Sequence, residues 1–276
     1  MLGAIIGDMV GSIYEFDPIK SKEFNIYDGH MRMTDDSLLT LAVARVLINH
    51  YPINYSEHGL DIIKKDLINE FVYTWKKNRG AGWGGMFNAW CASKKRTPYN
   101  SYGNGSAMRI SPVAWVADTE AHLKLLSKAV TEITHNHPEG IKGAEAVAMC
   151  IFMALHGASK EEIRDRMIKD YYPEIKDLEF EKLVKTYQFS EICQKSVPQA
   201  IYCFLISNSE EDAIRNCVAI GGDCDTTGAM AGAIAEAFYN KDKSDLFEDK
   251  FIKLMIDKNT KKEIIAFHKM IGSYKF

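Results

Sequence analysis

Apolar residues return every three or four positions along most of this chain, and that period constrains its fold more than any other feature. Leu38, Leu39, Ala42, Val43, Val46 and Leu47 fall on one side of a helix with about 3.6 residues per turn. The same spacing predicts helices over 62–75, 123–133, 143–155, 198–205, 213–220, 228–239 and 251–271. No stretch alternates with the two-residue period of a half-buried strand. With seven prolines and neither a low-complexity tract nor a charged linker, nothing marks a domain boundary. The expectation is an all-α fold, a single compact multi-helix domain over residues 1–276.

Composition fits that reading and removes several function classes. The chain is 46% hydrophobic and 26% charged, ordinary for a protein with a substantial core. A net charge of −3 with dispersed basic residues leaves no footprint for nucleic acid. The densest basic runs, Lys94 to Arg96 and Lys261 to Lys262, read as solvated faces. Residues 1–13 are apolar but lack a basic leader region and carry Asp8, so they do not read as a signal peptide. Nothing approaches the roughly 18 uninterrupted apolar residues of a membrane span. The six cysteines include no C-x-x-C pair and sit in apolar, helical surroundings, as reduced core residues of a cytoplasmic protein do.

Two segments are rich in glycine: 79–86 (Arg-Gly-Ala-Gly-Trp-Gly-Gly-Met) and 99–109 (Tyr-Asn-Ser-Tyr-Gly-Asn-Gly-Ser-Ala-Met-Arg). Such density is useful where backbone must approach a ligand, although ordinary turns between helices would use it too. Neither segment is a P-loop, and neither follows a predicted strand as a dinucleotide fingerprint must.

Two further segments crowd oxygen-bearing side chains at helix starts. Thr34, Asp35 and Asp36 precede the helix from Ser37, and Asp223, Asp225 and Thr226 follow the glycine pair Gly221–Gly222. Either one alone reads as a helix cap favoured by the helix dipole. Together they suggest one shared site, because four carboxylates brought together repel unless cations intervene. An all-oxygen set suits hard ions such as Mg²⁺ or Mn²⁺, and no Cys/His set with zinc spacing competes. At the N-terminus Gly3, Gly7, Gly11 and Glu15 recur every fourth residue, one side of a helix if the segment stays helical. The stripe permits close packing on a partner helix, Glu15 emerges where that packing stops, and Asp8 faces elsewhere as a buried structural acid.

These segments resemble the ADP-ribosylglycohydrolase family, which includes the dinitrogenase reductase-activating glycohydrolase and the vertebrate ADP-ribosylhydrolases. The resemblance is carried by residues 3–15, Thr-Asp-Asp-Ser at 34–37, Ser-Tyr-Gly-Asn-Gly-Ser-Ala-Met-Arg at 101–109, Thr-His-Asn-His-Pro-Glu-Gly at 134–140 and Gly-Gly-Asp-Cys-Asp-Thr at 221–226. They stand in the family's order and span nearly the whole chain. The resemblance implies a fold of a dozen or so helices around two Mg²⁺ or Mn²⁺ ions. Thr34, Asp35, Asp36, Asp223, Asp225 and Thr226 are the implied metal ligands, with Glu15 and Asp35 at the reacting bond. Gly82, Trp83, Gly84, Gly85, Ser101, Tyr102, Gly103, Asn104, Gly105, Met108 and His135 are the implied substrate contacts.

Some assignments stay open at this stage. Tyr99 and Tyr102 are candidates for contact with adenosine. Trp83 either shapes the channel or anchors its loop. His135 faces the ligand or braces a turn, and a metal pair with His137 is disfavoured because Pro138 starts a helix. Arg109, placed on a helix by its neighbours, pairs either with phosphate or with a metal-site acid. The implied activity is hydrolysis of the glycosidic bond between ADP-ribose and a modified protein side chain or small molecule, by a monomer. A non-catalytic ADP-ribose-binding protein on the same fold, or a metal-dependent hydrolase of another nucleoside-type substrate, are the alternatives.

Overall fold

The computed structural model describes residues 1–241 and 243–272; residues 242 and 273–276 of the expected domain lie outside the described residues. The chain forms α1 (Leu2–Gly11), α2 (Asp35–His50), α3 (Glu57–Lys77), α4 (Gly85–Ala92), α5 (Ser111–Val116), α6 (Glu120–Glu132) and α7 (Pro138–Leu155). It continues through α8 (Lys160–Asp170), α9 (Phe180–Thr186), α10 (Cys193–Leu205), α11 (Glu210–Ile220), α12 (Cys224–Tyr239), α13 (Leu246–Met255) and α14 (Lys258–Met270). Among the described residues there is no strand, only an isolated bridge between Gly103 and Ile192. The all-α expectation holds.

α1 and α12 form the centre. Every residue of α1 is buried, and α12 is buried from Cys224 to Ala237. They run antiparallel with backbones in contact: a Cβ on Gly3, Gly7 or Gly11 would lie 2.3, 2.0 or 2.3 Å from the carbonyl oxygens of Gly232, Gly228 and Cys224. Only glycine allows that approach, since a methyl group has no space to occupy. The contact sets the C-terminal end of α1 beside the N-terminal end of α12, so Asp8 and the turn carrying Glu15 meet Asp223 and Asp225. The other helices wrap this pair, and the buried apolar side chains form one cluster reaching from Met1 to Phe267.

Several boundaries differ from the sequence expectation for identifiable reasons. The stripe from Gly3 to Glu15 does not stay helical: α1 ends at Gly11, and Glu15 sits in the following turn. The expected helix over 251–271 is two helices, because the Asp257 carboxylate accepts from the backbone N–H groups of Asn259 and Thr260 and caps a new start. Pro198 lies inside α10 rather than at its beginning. α8 buries only Ile163 and Met167 and α9 only Leu183, too few for a periodic signal. All six cysteines are buried and free.

Candidate functional site

Asp8 organises the first acidic helix start. Its Oδ2 accepts from the backbone N–H of Thr34 at 2.9 Å and of Ser37 at 3.1 Å, and from the Ser37 hydroxyl. Its Oδ1 takes the Thr34 hydroxyl at 2.6 Å. With its proton committed to Asp8, the Thr34 oxygen keeps a lone pair for other partners. Asp36 is buried, and its Oδ1 has no hydrogen-bond partner. In the second cluster the Asp223 Oδ2 accepts from Asn104 Nδ2 at 2.6 Å, and the Asp225 Oδ1 accepts from the Thr226 N–H at 2.8 Å.

The clusters, far apart in sequence, meet. Carboxylate oxygens of Asp8, Asp36 and Asp225 lie within 4.8 Å of one another, as do those of Glu15, Asp223 and Asp225. Asp225 belongs to both groups. Burial first, and the neighbouring Asp225 charge second, raise Asp8 to about 7 and Glu15 to about 8. The same two causes hold Asp35, Asp36 and Asp223 well above the ordinary carboxylate range. The orphaned Asp36 oxygen and the all-oxygen donor set fit hard divalent cations.

The acids stand at one side of a cleft of about 540 Å³. Its wall includes Glu15, Thr34, Asp35, Asp36, Asp223, Asp225 and Thr226. Gly82, Gly84 and Gly85 of the first glycine loop line it, as do Ser101 to Gly105 and Met108 of the second, together with His135. Each loop is tied to one acid cluster. The Asp35 N–H donates to the Ala81 carbonyl at 2.9 Å, and Gly82, at φ +89°, passes close to the Asp35 carboxylate. Asn104 makes the corresponding tie to Asp223.

Trp83 does not line the cleft. It is buried, its indole N–H donates to the Asn78 carbonyl at 2.6 Å, and its ring stacks on Phe87, so it anchors the loop. Tyr99 borders the cleft beside the His135 ring, and burial lifts its phenol to about 12. Tyr102 is exposed and packs on His137. His137 caps α7, its Nδ1 accepting from the Glu139 N–H at 3.1 Å, and belongs to no metal-capable group among the described residues.

Arg109 is not on a helix, although it borders the cleft. It sits in a turn before α5, fully buried, and donates to the Val130 carbonyl at 3.2 Å and the Thr134 hydroxyl at 2.7 Å. No carboxylate pairs with it among the described residues. Its guanidinium stacks over Phe71 at 4.7 Å, and burial lowers its pKa to about 10.

Sequence reasoning missed Phe16, Arg32 and Glu191 as cleft-lining residues. Residues 191–193 arrive by pairing with the second glycine loop: the Asn104 N–H donates to the Glu191 carbonyl at 2.7 Å and the Cys193 N–H to the Tyr102 carbonyl at 3.0 Å. Backbone pairing of that kind leaves no residue-type signature to read.

The family model described as ADP-ribosylglycohydrolase matches residues 1–243. The ADP-ribosylhydrolase ARH3 of Homo sapiens is 23% identical, the match covering 88% of this chain and 85% of that protein. The ADP-ribosyl-[dinitrogen reductase] glycohydrolase of Rhodospirillum rubrum is 26% identical over 87% of this chain and 84% of its own length. The ADP-ribosylarginine hydrolase Tri1 of Pseudomonas putida (strain GB-1) is 25% identical over 87% of this chain and 69% of its own. A solved structure titled ADP-ribosylglycohydrolase-related protein complex superposes with a TM-score of 0.71 at 20% identity, over 98% of this chain and 97% of that one.

Proposed function

The chain belongs to the ADP-ribosylglycohydrolase family, and from that membership we propose that it hydrolyses the glycosidic bond joining ADP-ribose to an acceptor, with Mg²⁺ or Mn²⁺ held in the acid cluster. The observation that carries this reading is the meeting of both acid clusters, Glu15 and both glycine loops on one cleft. Thr34, Asp35, Asp36, Asp223, Asp225 and Thr226 are the proposed ligands of two ions. Asp225, common to both carboxylate groups, would serve in holding either ion. Bound there, divalent cations supply positive charge that offsets the acids and polarises sugar oxygens.

The protein's own groups do the rest. Asp8 holds the Thr34 hydroxyl proton and so directs the Thr34 lone pair into the site. Glu15, half-buried among acids, keeps a proton to higher pH than an ordinary carboxyl. That suits proton exchange with the leaving acceptor atom or the attacking water, with Asp35 assisting beside it. Backbone N–H groups of the glycine loops face the diphosphate, and developing positive charge on the ribose is stabilised by the acids. The acceptor is an ADP-ribosylated protein side chain or small molecule; the relatives' names include both an arginine and a dinitrogen reductase acceptor. The six buried free cysteines fit a reducing compartment such as the cytoplasm, and we propose that the protein acts there as a monomer.

The test is a panel of ADP-ribosylated substrates (arginine, serine, asparagine, nucleic-acid ends, O-acetyl) incubated with Mg²⁺, with Mn²⁺ and with chelator. Free ADP-ribose is expected from at least one, lost on chelation and restored by added ion. Release from none would move the assignment to an ADP-ribose-binding protein, and full activity in chelator would remove the metal centre.

A further inference from the structure

We infer that Arg109 and Thr134 are positioning residues that hold His135 as its neutral Nε2–H tautomer, so that the ring offers the cleft a fixed N–H donor. This rests on the ADP-ribose reading only for the identity of the ligand. The argument is proton counting along a short chain of hydrogen bonds. Arg109 has donors and no acceptor. Its Nη2 donates to the Thr134 Oγ1 at 2.7 Å, and Thr134 is its one side-chain oxygen partner. The Thr134 Oγ1 in turn lies 2.7 Å from the His135 Nδ1. A hydroxyl has one proton and two lone pairs, and Arg109 occupies one lone pair.

The other neighbours of that hydroxyl decide where its proton goes. The Thr131 carbonyl, at 3.5 Å, is too distant to hold it. The proton is then directed at the His135 Nδ1, which accepts. Electrostatics points the same way. Arg109 is fully buried without a carboxylate, its Nε and Nη1 unpartnered. A ring nitrogen facing that cation is better as a lone pair than as N–H. Burial, and then the Arg109 charge, hold the His135 pKa well below its ordinary value, which keeps the ring neutral.

A neutral imidazole accepting at Nδ1 carries its proton on Nε2. That atom has no protein partner among the described residues. It sits beside the second glycine loop, 3.6 and 3.4 Å from where side chains on Gly103 and Gly105 would begin. The ring therefore presents N–H, without net charge, to an oxygen of whatever the loop holds, for ADP-ribose a diphosphate or ribose oxygen. Arg109 acts on the ring through the Thr134 hydroxyl.

The test is a nitrogen-15 spectrum of the histidine-labelled protein near neutral pH, with His135 assigned by loss of its signals in His135→Gln. The result expected is a pyridine-type Nδ1 and a protonated, pyrrole-type Nε2. A protonated Nδ1, or an imidazolium, overturns the proposal, and this readout does not depend on whether Thr134→Val folds. Thr134→Val keeps the side-chain shape without the hydroxyl. It should release the tautomer preference and weaken ADP-ribose binding about tenfold, and Thr134→Ser should restore both. An unchanged spectrum and affinity in Thr134→Val would also overturn it. Failure of ADP-ribose to bind the wild-type protein counts against the functional reading, while the spectrum still decides the tautomer.

Discussion

Asn104 donates from Nδ2 to the Asp223 Oδ2 at 2.6 Å, a bond that ties the second glycine loop to the acidic start of α12. It fixes one Asp223 oxygen and leaves the other to the cluster. Asn104→Ala should reduce kcat/KM for ADP-ribose release roughly 10- to 100-fold, the usual effect of removing a group that orients a metal ligand. Asn104→Asp should do worse, because it sets a further carboxylate against Asp223. Steady-state kinetics at saturating Mg²⁺ measures both, and wild-type kinetics in Asn104→Ala would show that the bond is incidental.

The contact between α1 and α12 gives a stability prediction. An alanine methyl at residue 7 would stand 2.0 Å from the Gly228 carbonyl oxygen, and one at residue 228 would stand 2.6 Å from the Gly7 carbonyl oxygen. Backbone cannot rotate aside as a side chain can. Gly7→Ala should therefore cost about 3 kcal/mol or more, the upper end of overpacking penalties. Gly29→Ala, where nothing lies within 4 Å, is the control and should be nearly silent. Urea denaturation of both variants reads the difference.

That same contact shows how far the sequence could be read. The glycine stripe and the small residues of α12 are visible as composition, so close packing was foreseeable. Which helix receives which was not, because a glycine face is complementary to any other small face. The helix starts at Thr34 and Asp223 were legible through capping chemistry, and their convergence was inferred from the repulsion of unpaired acids. Arg109 was misread because Met108 and Ile110 look like helix neighbours. Its bonds to the Val130 carbonyl and the Thr134 hydroxyl are tertiary, and no residue pattern announces them.

The raised carboxyl groups give a pH dependence whose sign can be worked out. Glu15 at about 8 and Asp8 at about 7 bind protons more tightly folded than unfolded. The folded state then holds the extra protons, so stability falls as pH rises. The metal-free protein should be most stable below the ordinary carboxylate pKa of about 4, as far as these two groups are concerned. Their contribution is lost progressively as pH climbs through about 7 for Asp8 and about 8 for Glu15. Cations compete with those protons, so the rise in melting temperature on adding Mg²⁺ should be larger at pH 8 than at pH 6. Thermal scans with chelator and with Mg²⁺ at both values check this; equal shifts would mean that the acids are already ionised in the metal-free protein.

Asp8→Asn separates a supporting acid from a metal ligand. The Asp8 Oδ2 accepts from three donors, the N–H of Thr34 and both the N–H and hydroxyl of Ser37, so the amide oxygen must take that place. The amide nitrogen then faces the Thr34 Oγ1 and donates where Asp8 accepted. Thr34 must turn its own proton elsewhere, toward the Asp36 Oδ2 at 3.1 Å, and its lone pair is taken up by the new N–H. One buried negative charge has meanwhile left a crowded cluster. The metal-free variant should melt no lower than wild type at pH 8, while its Mg²⁺ affinity falls roughly 10- to 100-fold. Calorimetric titration measures the affinity. Wild-type affinity would mean that the Thr34 oxygen is not among the groups that hold the ion.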